Sequence, residues 1–172
     1  MNVPNNKRRK ESREKITRVF LELMQSHELR EISVTEICEM AQVNRTTFYA
    51  NYDDVYDLSH KVLQMLISEV DNLYIEEVTQ GFNSNDFGKL LRHIYANQLF
   101  YKTCFKLGIG NIPIKQYDRE YAESFFQNTH ILYHIEFFRA GFNRVIGLWL
   151  EGGCQESPEE IEDVLRQEYQ NR

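Results

Sequence analysis

Ser33-Val-Thr-Glu-Ile-Cys-Glu-Met-Ala-Gln-Val-Asn-Arg-Thr-Thr-Phe-Tyr-Ala-Asn-Tyr52 reads as two short capped helices joined by a tight turn. Ser33 with Glu36 is the pattern of a capping box, in which the serine oxygen accepts the backbone N–H of Glu36 and the glutamate reaches back to the N–H of Ser33. A helix therefore starts at about Val34, with Ile37 and Ala41 burying one side of it. Asn44 is a second good N-cap and opens another helix at Arg45 after only about three linking residues. Phe48 and Tyr52, four apart, lock that second helix down. Arg45, Thr46, Thr47, Tyr49 and Asn51 remain as hydrogen-bonding side chains on a helix too short to be stable alone. Few partners suit such a helix better than the major groove of double-stranded DNA, so the stretch predicts a DNA-reading helix-turn-helix.

Val43-Asn-Arg-Thr-Thr-Phe-Tyr-Ala-Asn-Tyr52, preceded by Thr35-Glu-Ile-Cys-Glu-Met-Ala41, resembles the signature of TetR-type transcriptional regulators, in which an alanine-glycine-valine turn leads into a recognition helix carrying Phe-Tyr. The resemblance covers roughly residues 10–60. Gln42 stands where a turn glycine is usual, which costs up to about 1 kcal/mol if that residue has a positive φ. Val55 stands where many members place a phosphate-binding lysine. Carried over position by position, the resemblance implies that Arg45, Thr46 and Thr47 face base edges. It likewise implies that Thr35, Tyr49 and Asn51, with a basic N-terminal arm, hold phosphates.

Charge agrees with a polyanionic partner at one end only. The chain has 172 residues and a net charge of −6, yet residues 1–52 hold nine Lys/Arg against seven Asp/Glu, a net +2, leaving −8 for the rest. The arm Lys7, Arg8, Arg9 and Lys10, with Arg13, Lys15 and Arg18, outweighs Glu11 and Glu14, an electrostatic footprint suited to phosphate; the alternative is a solvated tail. Cys38, Cys104 and Cys154 are too few and too widely spaced for a disulfide framework or a zinc motif, and Cys38 reads as packing within the helix-turn-helix. With no N-terminal apolar signal stretch and no apolar run approaching ~20 residues, the reading is a cytoplasmic protein without a membrane span.

Beyond this module the pattern is helical throughout and strand alternation is absent. Ile16, Val19, Phe20, Leu23 and Met24 mark a helix that completes a three-helix module, and Val55, Leu58, Val62, Met65, Leu66, Val70 and Leu73 mark a long connecting helix. The fold class is therefore all-α: an N-terminal helix-turn-helix module (1–52), and a helical connector leading into an effector-binding and dimerisation body (53–172), about nine helices in all. Residues 81–86 are turn chemistry between connector and body. Helices follow at about 86–96, up to 107, 117–126 and 129–151, the last closed by Gly152-Gly153. A final helix opens at Ser157-Pro-Glu-Glu160 with serine as cap, proline in the first helical position and Glu160 completing a capping box.

Too many faces of the 129–151 helix are apolar for a monomer's surface. The run Trp149-Leu-Glu-Gly-Gly-Cys-Gln-Glu-Ser-Pro-Glu-Glu160, with Phe142 before it, resembles the C-terminal end of a TetR subgroup related to dihydroxyacetone-kinase operon regulators. The resemblance implies a homodimer through the last two helices, with Phe142, Ile146, Trp149, Ile161, Val164 and Leu165 at the interface. It also implies an effector pocket, for which Tyr101, Phe105, Tyr117, Tyr121, Phe125, Tyr133, His134 and Phe137 supply aromatic faces with hydroxyls and an imidazole. The opposing reading is that helical cores need aromatics anyway. His130 and His134 lie one turn apart with nothing nearby to complete a metal shell, so neither metal nor cofactor is expected. Glycine-rich phosphate loops, nucleophile elbows and kinase motifs are missing from the sequence, which argues against an enzyme. The function expected is a DNA-binding regulator on a palindromic operator, a repressor released by a small effector. The alternative is a DNA-bound adaptor controlled by a partner protein.

Overall fold

The computed structural model describes residues 3–79, 87–108 and 130–170. Among them are eight α-helices and no strand, so the described residues form an all-helical fold. They fall into two compact units that divide between Met65 and Leu66. The turn-rich segment 81–86 and the helix expected at 117–126 lie outside the described residues.

The N-terminal unit begins with α1 (Val3–Leu23), which carries the basic arm as helix from its first turns. No apolar stripe marks this extension; Lys10–Glu14 (3.8 Å) pairs at i,i+4 along it, and the Ser12 hydroxyl donates back to Arg8 O. Farther along, Ile16, Val19, Phe20, Leu23 and Met24 are buried at helical spacing. After a short 3-10 turn, α2 (Val34–Ala41) starts at Ser33, whose Oγ accepts the Glu36 N–H at 3.1 Å. Of the two arms of the expected capping box, this is the one that forms among the described residues. α1 packs on α2, and α2 on α3 (Arg45–Tyr49). The turn between α2 and α3 places Gln42 at φ 54°, ψ 45°, in the left-handed region where glycine is unstrained.

α4 (Val55–Thr79) is opened by Asp54, whose carboxylate accepts the Asp57 N–H at 2.8 Å, and by Asp57, which accepts the Asp53 N–H at 3.0 Å. Val55, Leu58 and Val62 are buried, and their stretch of α4 counts with the N-terminal unit. The division thus falls inside α4.

The second unit holds α5 (Gly88–Ala96), α6 (Gln98–Lys106), α7 (Ile131–Glu151) and α8 (Pro158–Gln170). α5 packs on α8 and α6 on α7. α8 opens with both arms of its capping box: Ser157 N–H to Glu160 Oε2 at 2.8 Å and Glu160 N–H to Ser157 Oγ at 3.2 Å. Between α7 and α8 the chain turns through Gly153 (φ 78°) and Cys154 (φ 50°), whose N–H returns to Trp149 O at 2.8 Å. No helix among the described residues is long and apolar enough to cross a membrane.

Most of the side chains expected at a dimer interface are covered within one chain. Phe142, Ile146, Trp149, Ile161 and Leu165 are buried within the single chain. The Phe142 ring lies 5.2 Å from that of Phe87, and Tyr95 stacks on Trp149 at 6.0 Å. The Trp149 indole also donates to Glu156 O at 2.9 Å. An apolar stripe reports that a face is covered, not whose chain covers it, and here Phe87, α5 and α6 supply cover from the same chain. Of the six residues only Val164 is exposed, at 46%; Leu148, on the outer side of α7, is 52% exposed.

Candidate nucleic-acid interface

The N-terminal unit presents α3 through a cap at one end and borrowed partners at the other. Asn44 Oδ1 accepts both the Thr47 N–H (2.7 Å) and the Thr47 hydroxyl (2.8 Å), closing the start of a five-residue helix. Phe48 is fully buried and its ring meets Tyr52 at 5.5 Å and Tyr49 at 5.6 Å. With one side anchored, Arg45, Thr46 and Tyr49 are left outward, Tyr49 being 55% exposed. Thr35, exposed at the start of α2, accepts a hydrogen bond from the Arg45 guanidinium, so these two belong to one polar surface.

Two expected contact residues are engaged inside the protein. The Thr47 hydroxyl belongs to the Asn44 cap, and that side chain is half-buried. Asn51 donates through Nδ2 to Thr47 O (2.7 Å) and accepts through Oδ1 from Arg9 Nε (3.0 Å). Arg9 also donates through Nη2 to Ala50 O at 2.9 Å. Of the remaining arm, Lys7, Arg8 and Lys10 are exposed, Lys10 within reach of Glu14.

Lys61 was not among the expected site residues. Its Nζ donates to Asn51 O (3.0 Å) and to Asp57 Oδ2 (2.7 Å), and it sits 5.3 Å from the centroid of the Tyr52 ring. The Lys61 hydrogen bond, followed by the Asp53 N–H, holds the Asp57 carboxyl below its usual range. An Asp57/Lys61 spacing of i,i+4 was visible in the sequence; the reach to Asn51 was not.

The expected pocket residues divide. Tyr101 is fully buried and its hydroxyl lies 2.8 Å from His93 Nδ1, with Glu69 3.7 Å from Nε2 of the same ring. Phe105 is half-buried, whereas Tyr133, His134 and Phe137 stand on the exposed side of α7. Tyr117, Tyr121 and Phe125 lie outside the described residues. Burial raises the Tyr101 pKa well above the ordinary phenol value and pushes the Cys104 thiol up to about 12.

These features define an all-helical protein with an N-terminal helix-turn-helix. No family model matches the chain. It is 30% identical over 91 residues to the HTH-type dhaKLM operon transcriptional activator DhaS of Lactococcus lactis subsp. lactis (strain IL1403), a match covering 52% of this chain and 46% of that protein. The chain thus spans about half the length of the curated relative it matches. Among solved structures, the fatty acid degradation regulator FadR from Bacillus halodurans superposes with a TM-score of 0.72 at 13% identity, covering 91% of this chain and 93% of that one. A dihydroxyacetone kinase operon activator DhaS superposes with a TM-score of 0.56 at 19% identity, covering 91% and 92%. At these identities the two structures speak to the shared fold.

Proposed function

We propose that the chain is a sequence-specific DNA-binding transcriptional regulator of the TetR type, acting as a homodimer on a two-fold symmetric operator. The observation that carries this reading is α3: a capped helix held on buried Phe48 that turns Arg45, Thr46 and Tyr49 outward. In it, Arg45 and Thr46 read base edges in the major groove, while Thr35, Tyr49, Lys7, Arg8 and Lys10 contact phosphates. The likeness to an operon activator supports the same class. A second copy would cover the outer faces of α7 and α8, where Leu148 and Val164 are exposed.

Control lies with the second unit. In the first reading the regulator is a repressor released by a neutral aromatic or apolar effector held among Tyr101, Phe105, Tyr117, Tyr121, Phe125, Tyr133, His134 and Phe137. Exposure favours a second reading, control by a partner protein: Leu132 and Tyr133 are each 76% exposed and Phe137 63%, a surface more than a cavity wall. The activator named in the relative suits that reading as well. Selection of bound duplexes from a random pool tests DNA binding, and a symmetric consensus is the expected result. A gel shift on that consensus then separates the readings, since an effector acts alone and a partner only as a second protein.

A further inference from the structure

We propose that Arg9 and Lys61 clamp the C-terminal end of α3, so that Arg9 is a positioning residue for sequence discrimination. This rests on the DNA-binding reading and goes beyond it, because the basic arm otherwise contributes only sequence-independent attraction to phosphate. A five-residue helix cannot hold its own geometry: the N–H groups of Ala50, Asn51 and Tyr52 close its end on Thr46 O and Phe48 O, and the carbonyls of Ala50 and Asn51 lie past that last turn. Here they are met from elsewhere. Arg9 on α1 donates to Ala50 O (2.9 Å) and Asn51 Oδ1 (3.0 Å), and Lys61 on α4 donates to Asn51 O (3.0 Å). Asn51 closes the set by donating to Thr47 O at 2.7 Å. Two cations at a helix C-terminus also match the sign of its dipole.

The Arg9 contact uses neighbouring donors of one planar guanidinium against two acceptors fixed relative to each other, a fork that an ammonium cannot reproduce. Arg9 lies 42 residues from Asn51, so the contact ties α1 to the end of α3 across the unit. A helix that tilts about its buried Phe48 would move Arg45 and Thr46 relative to base edges while leaving the phosphate-facing charges in place. Losing the clamp therefore lowers discrimination more than it lowers affinity for DNA in general.

The experiment compares the full chain with Arg9→Lys, Arg9→Ala and Asn51→Ala. It reads binding to a selected operator and to random duplex across a salt series, and amide exchange at Ala50, Asn51 and Tyr52 without DNA. Arg9→Lys keeps the charge and breaks the fork. It should lose about three- to tenfold in the operator-to-random ratio, the effect of roughly one net hydrogen bond, with an unchanged salt slope. Arg9→Ala and Asn51→Ala should lose a similar ratio, their combination no more than either alone, and exchange at the three amides should quicken in each variant. The proposal is overturned if Arg9→Lys matches the wild type in ratio and exchange while Arg9→Ala weakens all sequences equally and flattens the salt slope by about one unit, which would make Arg9 a phosphate contact. If the wild type selects no sequence, the DNA-binding reading fails and Arg9's role in discrimination fails with it. The clamp itself is then judged by exchange, where Arg9→Lys at the wild-type rate would overturn it.

Discussion

Replacing Gln42 by glycine should stabilise the N-terminal unit. Gln42 closes α2 at φ 54°, ψ 45°, and its side chain is exposed, so the substitution removes no packing. Left-handed backbone costs a residue with a Cβ roughly 1–2 kcal/mol. Glycine returns about 0.5–1 kcal/mol of that through the larger entropy of its unfolded chain. The turn's hydrogen bonds, Gln42 N–H to Glu39 O (3.2 Å) and Val43 N–H to Cys38 O (3.0 Å), involve only backbone and survive. The net gain is about 0.5–1 kcal/mol, and with an m-value of about 1–3 kcal/mol/M the urea midpoint should rise by roughly 0.2–1 M at constant m. Gln42→Val, β-branched at the same φ, should lower it. A glycine variant with an unchanged or lower midpoint would refute the strain argument.

Leu148→Glu and Val164→Glu lie on exposed faces and should leave the monomer's unfolding free energy within about 0.5 kcal/mol of wild type while shifting sedimentation toward monomer; persistence of a dimer in both would move the interface elsewhere. Burial, with Glu69 adding to it, raises the Cys104 pKa from 9.0 to about 12 and lifts Tyr101 as well, so ionisation is easier in the unfolded chain. That stabilisation is whole below about pH 9 and lost as pH rises toward 12; Cys104→Ala should flatten the decline in folded fraction above pH 9, and an unchanged slope would refute the assignment. Replacing Lys7, Arg8 and Lys10 with alanine should weaken binding to all duplexes alike and flatten the salt slope by up to about three units, as filter binding would report; an operator-specific loss would contradict a phosphate role.

What was legible in the sequence was local. Ser33, Asn44 and Ser157 cap helices because the partner of each lies three residues away, and Phe48 with Tyr52 pack because they are one turn apart. The αL turn at Gln42 was legible by comparison with the glycine usual there. What spacing could not supply was the identity of a distant partner. Phe142 and Trp149 read as sticky faces, yet Phe87 and Tyr95 of the same chain cover them. Asn51 and Arg9 both read as phosphate ligands, and their mutual bond spans 42 residues. The early start of α1 escaped because its first turns, ahead of Ile16, carry no apolar period.

The most direct test of the account is the ratio of operator to random-duplex affinity for the full chain and for Arg45→Ala, measured at one salt concentration on a site selected from a random pool. The account predicts a symmetric selected site and a loss of about 1–3 kcal/mol of that ratio in Arg45→Ala, the contribution of a bidentate base contact. Equal ratios in the two proteins, or a wild type that binds every duplex alike, would contradict it.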